Sequence, residues 1–557
     1  MQGLMQEAEL TLDRLLTYAS EWHGNTPIVS RAADGSICRT DYAGIALRAH
    51  RVSNALRAAG IGKGDRVATL GWNGYQHFEA WYGIIGIGAI CHTLNPRLLN
   101  EQIAYLVNHA GDRIILADQA CRDILVEILP QCPTVECVIF LDEETPSPLG
   151  NGDIPATGYE TWISSQPEQG NWGAFDERQA AGLCYTSGTT GNPKGVLYSH
   201  RSNYLHAMMV LGPDALNLSA RDTVLLAVPM YHANAWGVVY AAPMVGAGLV
   251  LPGQKLDGAS LHELIETEGV TYSAGVPTIW QMLLTHLRDT GGTFSTLQRV
   301  TVGGSACPET IIREFRDVHG VDVIQGWGMT ETSPLATVSI PNRRISALSP
   351  EEQVAYKLKQ GRPLSGIELK LVDDTGQQLP HDGRTPGRLL IRGPTIASGY
   401  FGTDSTSLDE EGYFDTGDIA TLDHDGYMQI TDRAKDVIKS GGEWISSVDV
   451  ENIAMGHPAA EVCAVIGIPH PKWDERPLLL VRLRKNASAS AEEIRDYLKG
   501  RIASWWIPDR VEFVDDLPTG PTGKIDKKKL RDLYGGLTFI QSPEDKATAK
   551  RSGADQA

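Results

Sequence analysis

No Cys-x-x-Cys pair occurs anywhere in the 557 residues, and the 8 cysteines (Cys38, Cys91, Cys121, Cys132, Cys137, Cys184, Cys307 and Cys463) are scattered. That spacing argues against a zinc site or a disulfide framework and fits a reducing, cytoplasmic setting. Cations are also scarce: 49 Lys and Arg face 68 Asp and Glu, for a formal charge of −19. A general nucleic-acid binder needs basic surface, so that class is excluded. No apolar run reaches the roughly 20 residues that span a bilayer. The most apolar stretches, Ala80–Ile90 and Trp236–Pro252, are broken by glycine and proline and read as core, so no integral membrane association is expected. Met1–Arg14 carries neither a basic n-region nor a continuous apolar h-region, so no signal peptide is visible. No repeat of 20–50 residues is present either.

What is present points to a large α/β protein. A chain of this length exceeds one compact core and should divide into two or more domains. Asp65–Leu70, Arg113–Ala117 and Glu136–Leu141 are short, β-branched and bounded, as buried strands are. Asn100–His109 has helical spacing, with Asn100 as its expected cap. This alternation predicts mostly parallel sheets covered by helices in a large N-terminal domain with several subdomains. After about residue 430 the elements become smaller and denser in charge, which predicts a small C-terminal α+β domain. There Ser490-Ala-Glu-Glu493 has the capping-box pattern and opens a helix with apolar Ile494, Tyr497, Leu498 and Ile502. The expected division is 1–432, a linker at 433–436, 437–540, and a polar, aperiodic tail at 541–557 that reads as disordered.

The densest chemical signal is Tyr185-Thr-Ser-Gly-Thr-Thr-Gly-Asn-Pro-Lys-Gly195. It follows the strand-like run Ala181–Cys184 and gathers Thr186, Ser187, Thr189, Thr190 and three glycines, Gly188 among them, around Lys194. Glycine lets backbone N–H groups approach an anion, hydroxyls add short donors, and lysine adds a point charge. That set suits a triphosphate. It is not a Walker A loop, because Pro193-Lys194-Gly195 stands where Gly-Lys-Ser/Thr is required. A flexible surface turn is the bland alternative, but a turn needs one glycine rather than this array of donors.

Further segments follow in order: Gly303-Gly-Ser-Ala-Cys-Pro308, Gln325-Gly-Trp-Gly-Met-Thr-Glu331, Tyr413-Phe-Asp-Thr-Gly-Asp418, Asp432-Arg-Ala-Lys-Asp-Val-Ile-Lys-Ser-Gly-Gly-Glu443 and Pro521-Thr-Gly-Lys524. Together with the loop, they resemble the signatures of the adenylate-forming superfamily, which holds acyl-CoA synthetases, luciferases and peptide-synthetase adenylation domains. The resemblance runs over roughly residues 10–535. It implies an acid–thiol ligase that uses ATP, Mg2+ and coenzyme A. The acid is first activated as acyl-adenylate with release of pyrophosphate, then passed to CoA with release of AMP.

Each segment also makes chemical sense for that task. Trp327 offers a flat face for adenine, and Gly303, Gly304 and Ala306 lack bulk on the other side. Thr330 is suited to donate to the α-phosphate, Glu331 to hold Mg2+ through oxygen, and Asp418 to accept from the ribose hydroxyls with Arg433 beside it. By resemblance the nucleotide site also takes in Ser305, Gln325, Gly326, Gly328, Met329 and Ile430, and Thr190 is a second metal ligand. Lys524 is the lysine implied to screen carboxylate from phosphate, although by itself it belongs to a solvated basic run. Lys435 matches the hinge about which the small domain turns, and Lys439, Ser440, Gly441, Gly442, Glu443 and Trp444 match the thiol channel. Asp423-His-Asp-Gly426 only faintly resembles a calcium loop and reads as a turn.

Pro229–Trp236 resembles the acyl-pocket segment of bacterial medium- and long-chain fatty acyl-CoA synthetases, with Trp236 as the tunnel gate; that branch includes ligases for 3-methylmercaptopropionate. Candidate lining residues are Tyr231, His232, Trp236, Val276, Pro277 and Pro334, any of which core packing would also explain. Relatives in this branch imply a homodimer. An aromatic-acid ligase, carrier-protein adenylation, a luciferase-like oxygenase and a non-catalytic acyl or nucleotide sensor are the alternatives. A carrier domain is not visible after Lys528, and a sensor would be expected to lack Glu331 or Lys524.

Overall fold

The computed structural model describes residues 1, 3–142, 147–149, 154–186, 192–433, 436–440, 443–520 and 525–535, without the side chains of Lys439, Glu443 and Trp444. By contacts the chain forms two units. The first is Met1–Thr385 with Leu389–Thr416 and Leu422–Gln429; the second is Ile430–Ala557 with Pro386–Arg388 and Gly417–Thr421.

The first unit holds two large sheets. In the 7-stranded one the order is Ala156–Gly158, Cys137–Phe140, Ile114–Ala117, Arg66–Leu70, Ile90–Thr93, Ala180–Thr186 and Lys194–Ser199. All its pairs are parallel except the last, an antiparallel hairpin. The 9-stranded sheet runs Arg362–Pro363, Leu335–Val338, Asp322–Gly328, Arg299–Val302, Tyr272–Gly275, Thr223–Leu225, Gly248–Leu251, Pro27–Arg31 and Ile37–Asp41. Its centre is parallel and its edges antiparallel. The central strands are buried almost throughout, as strands covered on both faces must be.

Local chemistry explains the covering helices. Pro277 occupies the first turn of Pro277–Thr290, where its missing N–H costs nothing, and Gly291 ends the helix at φ +70°. Asp257 caps Gly258–Thr267 by accepting from Ser260 N at 3.0 Å. Both helices feed a core in which Trp280, Leu283 and Leu287 pack with Ile312, Phe315, Val300 and Val323. Helix Asn100–Ala110 forms as the spacing predicts, but Asn100 is not its cap. Leu99 holds that position; the Gln102 side chain accepts from Leu99 N at 3.3 Å, while Asn100 donates instead to Glu127. Asp423–Gly426 is a turn: the Asp423 carboxylate accepts from Asp425 N and Tyr427 N and pairs with Lys359 at 2.6 Å.

The second unit is a small α+β domain. Glu443–Ile445, Ile438–Ser440, Asp474–Leu483 and Ala460–His470 form an antiparallel sheet, and Arg510–Phe513 joins Asp474–Leu483 in parallel. Apolar side chains fill both faces: Val450, Val465, Leu479 and Ile494 on one, Ile466, Leu478, Leu480 and Leu530 on the other. Ser490 and Glu493 make the reciprocal capping box, and helix Ala491–Leu498 buries Ile494 and Leu498. The helix stops before Ile502.

Candidate active site

The glycine-rich segment of the first unit is carried by the hairpin Ala180–Thr186 and Lys194–Ser199, in which Thr186 lies opposite Lys194 and Tyr185 opposite Gly195. Ser187, Gly188, Thr189 and Thr190 lie outside the described residues. Both stems are pinned from outside. Tyr185 Oη meets His109 Nδ1 at 2.6 Å, and Gly195 O accepts from Phe401 N at 2.8 Å. Lys194 is exposed, with Nζ 4.7 Å from the centre of the Tyr400 ring.

Next to it, Asp322–Gly328 leads into the short helix Thr330–Thr332. Glu331 is 4 % exposed, and its Oε1 accepts from Tyr400 Oη at 2.8 Å. Its carbonyl accepts from Ala397 N at 2.8 Å, and that of Thr330 accepts from Tyr198 Oη at 2.7 Å. Burial pushes the Tyr198 and Tyr400 phenols well above their ordinary value, so both stay protonated donors. Met329 N donates to Thr332 Oγ1 at 3.0 Å. Gly328 is required sterically, because a Cβ there would lie 1.9 Å from the carbonyl oxygen of Pro334.

The loop after Arg299–Val302 lies against the same strand. Gln325 is fully buried and accepts through Oε1 from Cys307 N at 3.3 Å, tying Gly303–Pro308 to Trp327's strand. Gly304, at φ +80°, and Ser305 are exposed; Ala306 is half-buried. Trp327 is 9 % exposed and pairs with Thr337 across the sheet, and Gly326 with Val338. At Gly303 a Cβ would come within 3.0 Å of Trp236 Cη2, so the indole lies directly against this glycine. Gly303 N also donates to Gly275 O at 3.3 Å, which brings the Val276–Pro277 corner alongside.

Trp236 sits on backbone that its sequence does not announce. Ala233, Asn234, Ala235 and Trp236 have φ of 39°, 57°, 48° and 55°, and Gly237 follows at 80°. For residues other than glycine and asparagine this left-handed region costs roughly 1–2 kcal/mol each. Asn234 Nδ2 donates to Asn203 Oδ1 at 3.3 Å, and Gly237 leaves room for the His206 ring. Burial lowers His206 to about 4, so it is neutral, and its Nε2 accepts from Leu335 N at 3.0 Å. His206 thus joins the Trp236 turn to buried Pro334 and Leu335. Tyr231 is packed edge-on to Trp72, with ring centres 5.9 Å apart, and lies 5.2 Å from His232.

The second unit holds the remaining described candidates. Asp418, 1 % exposed, pairs with Arg433 at 2.8 Å, and Ile430 lies on the strand that ends at Arg433. Asp432 accepts from Ser447 N at 2.7 Å. Lys439 pairs with Trp444 and Ser440 with Glu443 in a hairpin, and Ser440 Oγ accepts from Arg476 at 3.1 Å. Gly441, Gly442, Lys435 and Lys524 lie outside the described residues. Lys527 is anchored by Glu451 at 2.8 Å.

Sequence reasoning missed Tyr198, His206 and Tyr400 as parts of the site. Tyr400 is 69 residues from Glu331, and Tyr198 is 132 from Thr330, so no local pattern links them. Among the described residues no group of three or more His, Cys, Asp or Glu could hold a metal ion. Also among the described residues, no helix is long and apolar enough to cross a membrane.

Residues 18–401 match the family described as AMP-binding enzyme, and 449–524 match the AMP-binding enzyme C-terminal domain. The chain is 47% identical over 543 residues to a medium-chain-fatty-acid–CoA ligase of Ectopseudomonas oleovorans, covering 97% of this chain and 99% of the relative. It is 47% identical over 535 residues to a 3-methylmercaptopropionyl-CoA ligase of Ruegeria lacuscaerulensis, covering 96% and 99%. Among solved structures it resembles the anthranilate CoA ligase AuaEII in complex with anthranoyl-AMP, with a TM-score of 0.84, 25% identity, and coverage of 96% of this chain and 99% of that one. The chain belongs to the AMP-binding enzyme family.

Proposed function

We propose that this protein is an AMP-forming acyl-CoA ligase whose acid is a medium- or long-chain fatty acid or a short thioether acid such as 3-methylmercaptopropionate. The observation that supports the reading most is that Lys194 and Glu331 both contact one side chain, Tyr400, as would suit a cation for phosphate beside a carboxylate for metal. In the first step a carboxylate oxygen of the acid attacks the α-phosphorus of ATP, and the bond to the β-phosphate oxygen breaks to release pyrophosphate. In the second the CoA thiolate attacks the acyl carbonyl carbon, and AMP leaves with both electrons of the acyl–oxygen bond.

Lys194 and the 187–190 loop bind the phosphates, Gly303–Ala306 and Gln325–Thr330 enclose the adenosine and α-phosphate, and Asp418 with Arg433 holds the ribose. Glu331 fits Mg2+: it is a buried carboxylate, a hard oxygen donor whose charge a cation would offset. Thr190 is the second proposed ligand, and the bound ion neutralises phosphate charge. Lys524 screens the attacking carboxylate from the α-phosphate. Turning of the small domain about 433–436, at Lys435, then replaces it with Lys439–Trp444 for the thiol step. The acid lies along Tyr231, His232, Trp236, Val276, Pro277 and Pro334. The enzyme works in the cytoplasm as a homodimer, which light scattering tests separately.

The decisive experiment measures CoA-dependent release of AMP and pyrophosphate over a panel of C2 to C16, aromatic and thioether acids. Turnover confined to fatty or thioether acids supports the reading. Release of AMP without CoA consumption, or no turnover with any acid, overturns it.

A further inference from the structure

We infer that Tyr400 is a positioning residue that holds the Glu331 carboxylate and the Lys194 ammonium in register for a metal–nucleotide complex. The inference rests on the adenylate-forming reading and adds to it a residue outside the glycine-rich, Gly-Met-Thr-Glu and lysine motifs.

Three contacts set the side chain. Its hydroxyl donates to Glu331 Oε1 at 2.8 Å, its ring faces Lys194 Nζ at 4.7 Å, and its edge packs on Phe414, with centres 6.3 Å apart. The backbone around it is fastened to both partners' elements. Phe401 N donates to Gly195 O at 2.8 Å, beside Lys194. Ala397 N donates to Glu331 O at 2.8 Å, and Ser333 Oγ to Thr395 O at 2.7 Å. The segment 395–401 therefore bridges the loop's second strand and the Thr330–Thr332 turn, with Tyr400 as the side chain that contacts the charged group on each.

A neutral bridge suits this place. A direct lysine–glutamate pair would satisfy both charges with each other and leave less for phosphate and metal. Tyrosine instead fixes one carboxylate oxygen with a charge-assisted hydrogen bond and steadies the ammonium on its π-face.

The test uses the full-length protein and the variants Tyr400→Phe and Tyr400→Leu. Pyrophosphate exchange into ATP is followed against free Mg2+ at saturating ATP, and Mn2+ binding in the presence of ATP is followed by calorimetry. Tyr400→Phe keeps the ring and loses the hydroxyl. It should weaken metal binding roughly tenfold or more, as for loss of a hydrogen bond to a charged group, and leave the KM for ATP unchanged. Tyr400→Leu should in addition raise that KM roughly threefold through loss of the cation–π contact. A Tyr400→Phe protein with the wild-type metal titration overturns the proposal. So does one in which metal affinity and thermal midpoint fall while KM for ATP rises, all together, since that marks a purely structural role. Should Tyr400→Leu fail to fold, Tyr400→Phe alone decides. Should the wild-type protein exchange no pyrophosphate with any acid, the ligase reading fails, while Mn2+ calorimetry still decides on Tyr400.

Discussion

Replacing Gly303 by alanine tests whether the Trp236 indole is where the geometry puts it. The new methyl carbon would lie 3.0 Å from Trp236 Cη2, 3.2 Å from Cζ3 and 3.2 Å from the carbonyl oxygen of Gly326. Gly303 is not in the left-handed region, so the whole penalty is steric. Gly326 pairs with Val338 within the sheet and cannot retreat, so the half-buried indole must. Overpacking of this kind costs about 1–3 kcal/mol. In a Trp236→Ala background two of the three close contacts vanish, and the same insertion should cost under about 1 kcal/mol. The double-mutant cycle should therefore show a coupling of about 1–2 kcal/mol, well beyond the roughly 0.5 kcal/mol scatter expected of independent sites. Urea unfolding of the four proteins, read at the transition midpoint with unchanged slope, measures it. Additive costs would refute the packing of Trp236 on Gly303.

The other predictions probe chemistry and pH. Lys524→Ala should reduce acyl-adenylate formation by roughly 10²–10³-fold, as for loss of one preorganised electrostatic contact, yet spare thioester formation from supplied acyl-AMP; equal losses in both half-reactions would count against its role. Trp236→Ala should lengthen the accepted acyl chain, and an unchanged chain-length profile would remove the gate assignment. Burial raises the Asp449 carboxyl to about 6, against about 3.9 for an unfolded aspartate. The folded state then holds its proton more tightly, so this group's contribution to stability is fullest below pH 4 and is lost as pH rises through 6, by roughly 2–3 kcal/mol. The stability difference between Asp449→Asn and wild type should thus increase from pH 4.5 to 7.5, and a flat difference in denaturation midpoints would sink that account.

Much of the architecture was legible because burial and periodicity report it directly. The expected strands at 65–70, 113–117 and 136–141 appear as Arg66–Leu70, Ile114–Ala117 and Cys137–Phe140. Strands covered on both faces have to be apolar without interruption, so they stand out. The capping box at Ser490 is equally local. Asn100 misled because the cap it was expected to supply is replaced by Gln102 reaching back to Leu99. The turn at Ala233–Trp236 was illegible for a different reason. Ala-Asn-Ala-Trp favours an ordinary right-handed turn, and its opposite hand goes with packing from distant residues, Asn203, His206 and Gly303 among them.

The same contrast runs through the site itself. Glycines and hydroxyls that would cradle a phosphate must be contiguous, so they leave a motif. The groups that orient them need only be near in space, and here three tyrosines serve: Tyr185 on His109, Tyr198 on the Thr330 carbonyl and Tyr400 on Glu331. Two of them stand on the hairpin that carries the loop, and the third on the segment fastened to it through Gly195. Tyrosine suits the task because its ring anchors in apolar packing while a polar tip reaches outward at little rotamer cost. Leucine would supply the anchor without the tip, and serine the tip without the anchor. A search for charged or glycine-rich patterns passes over these residues, although the relative placement of Lys194, Thr330 and Glu331 depends on them.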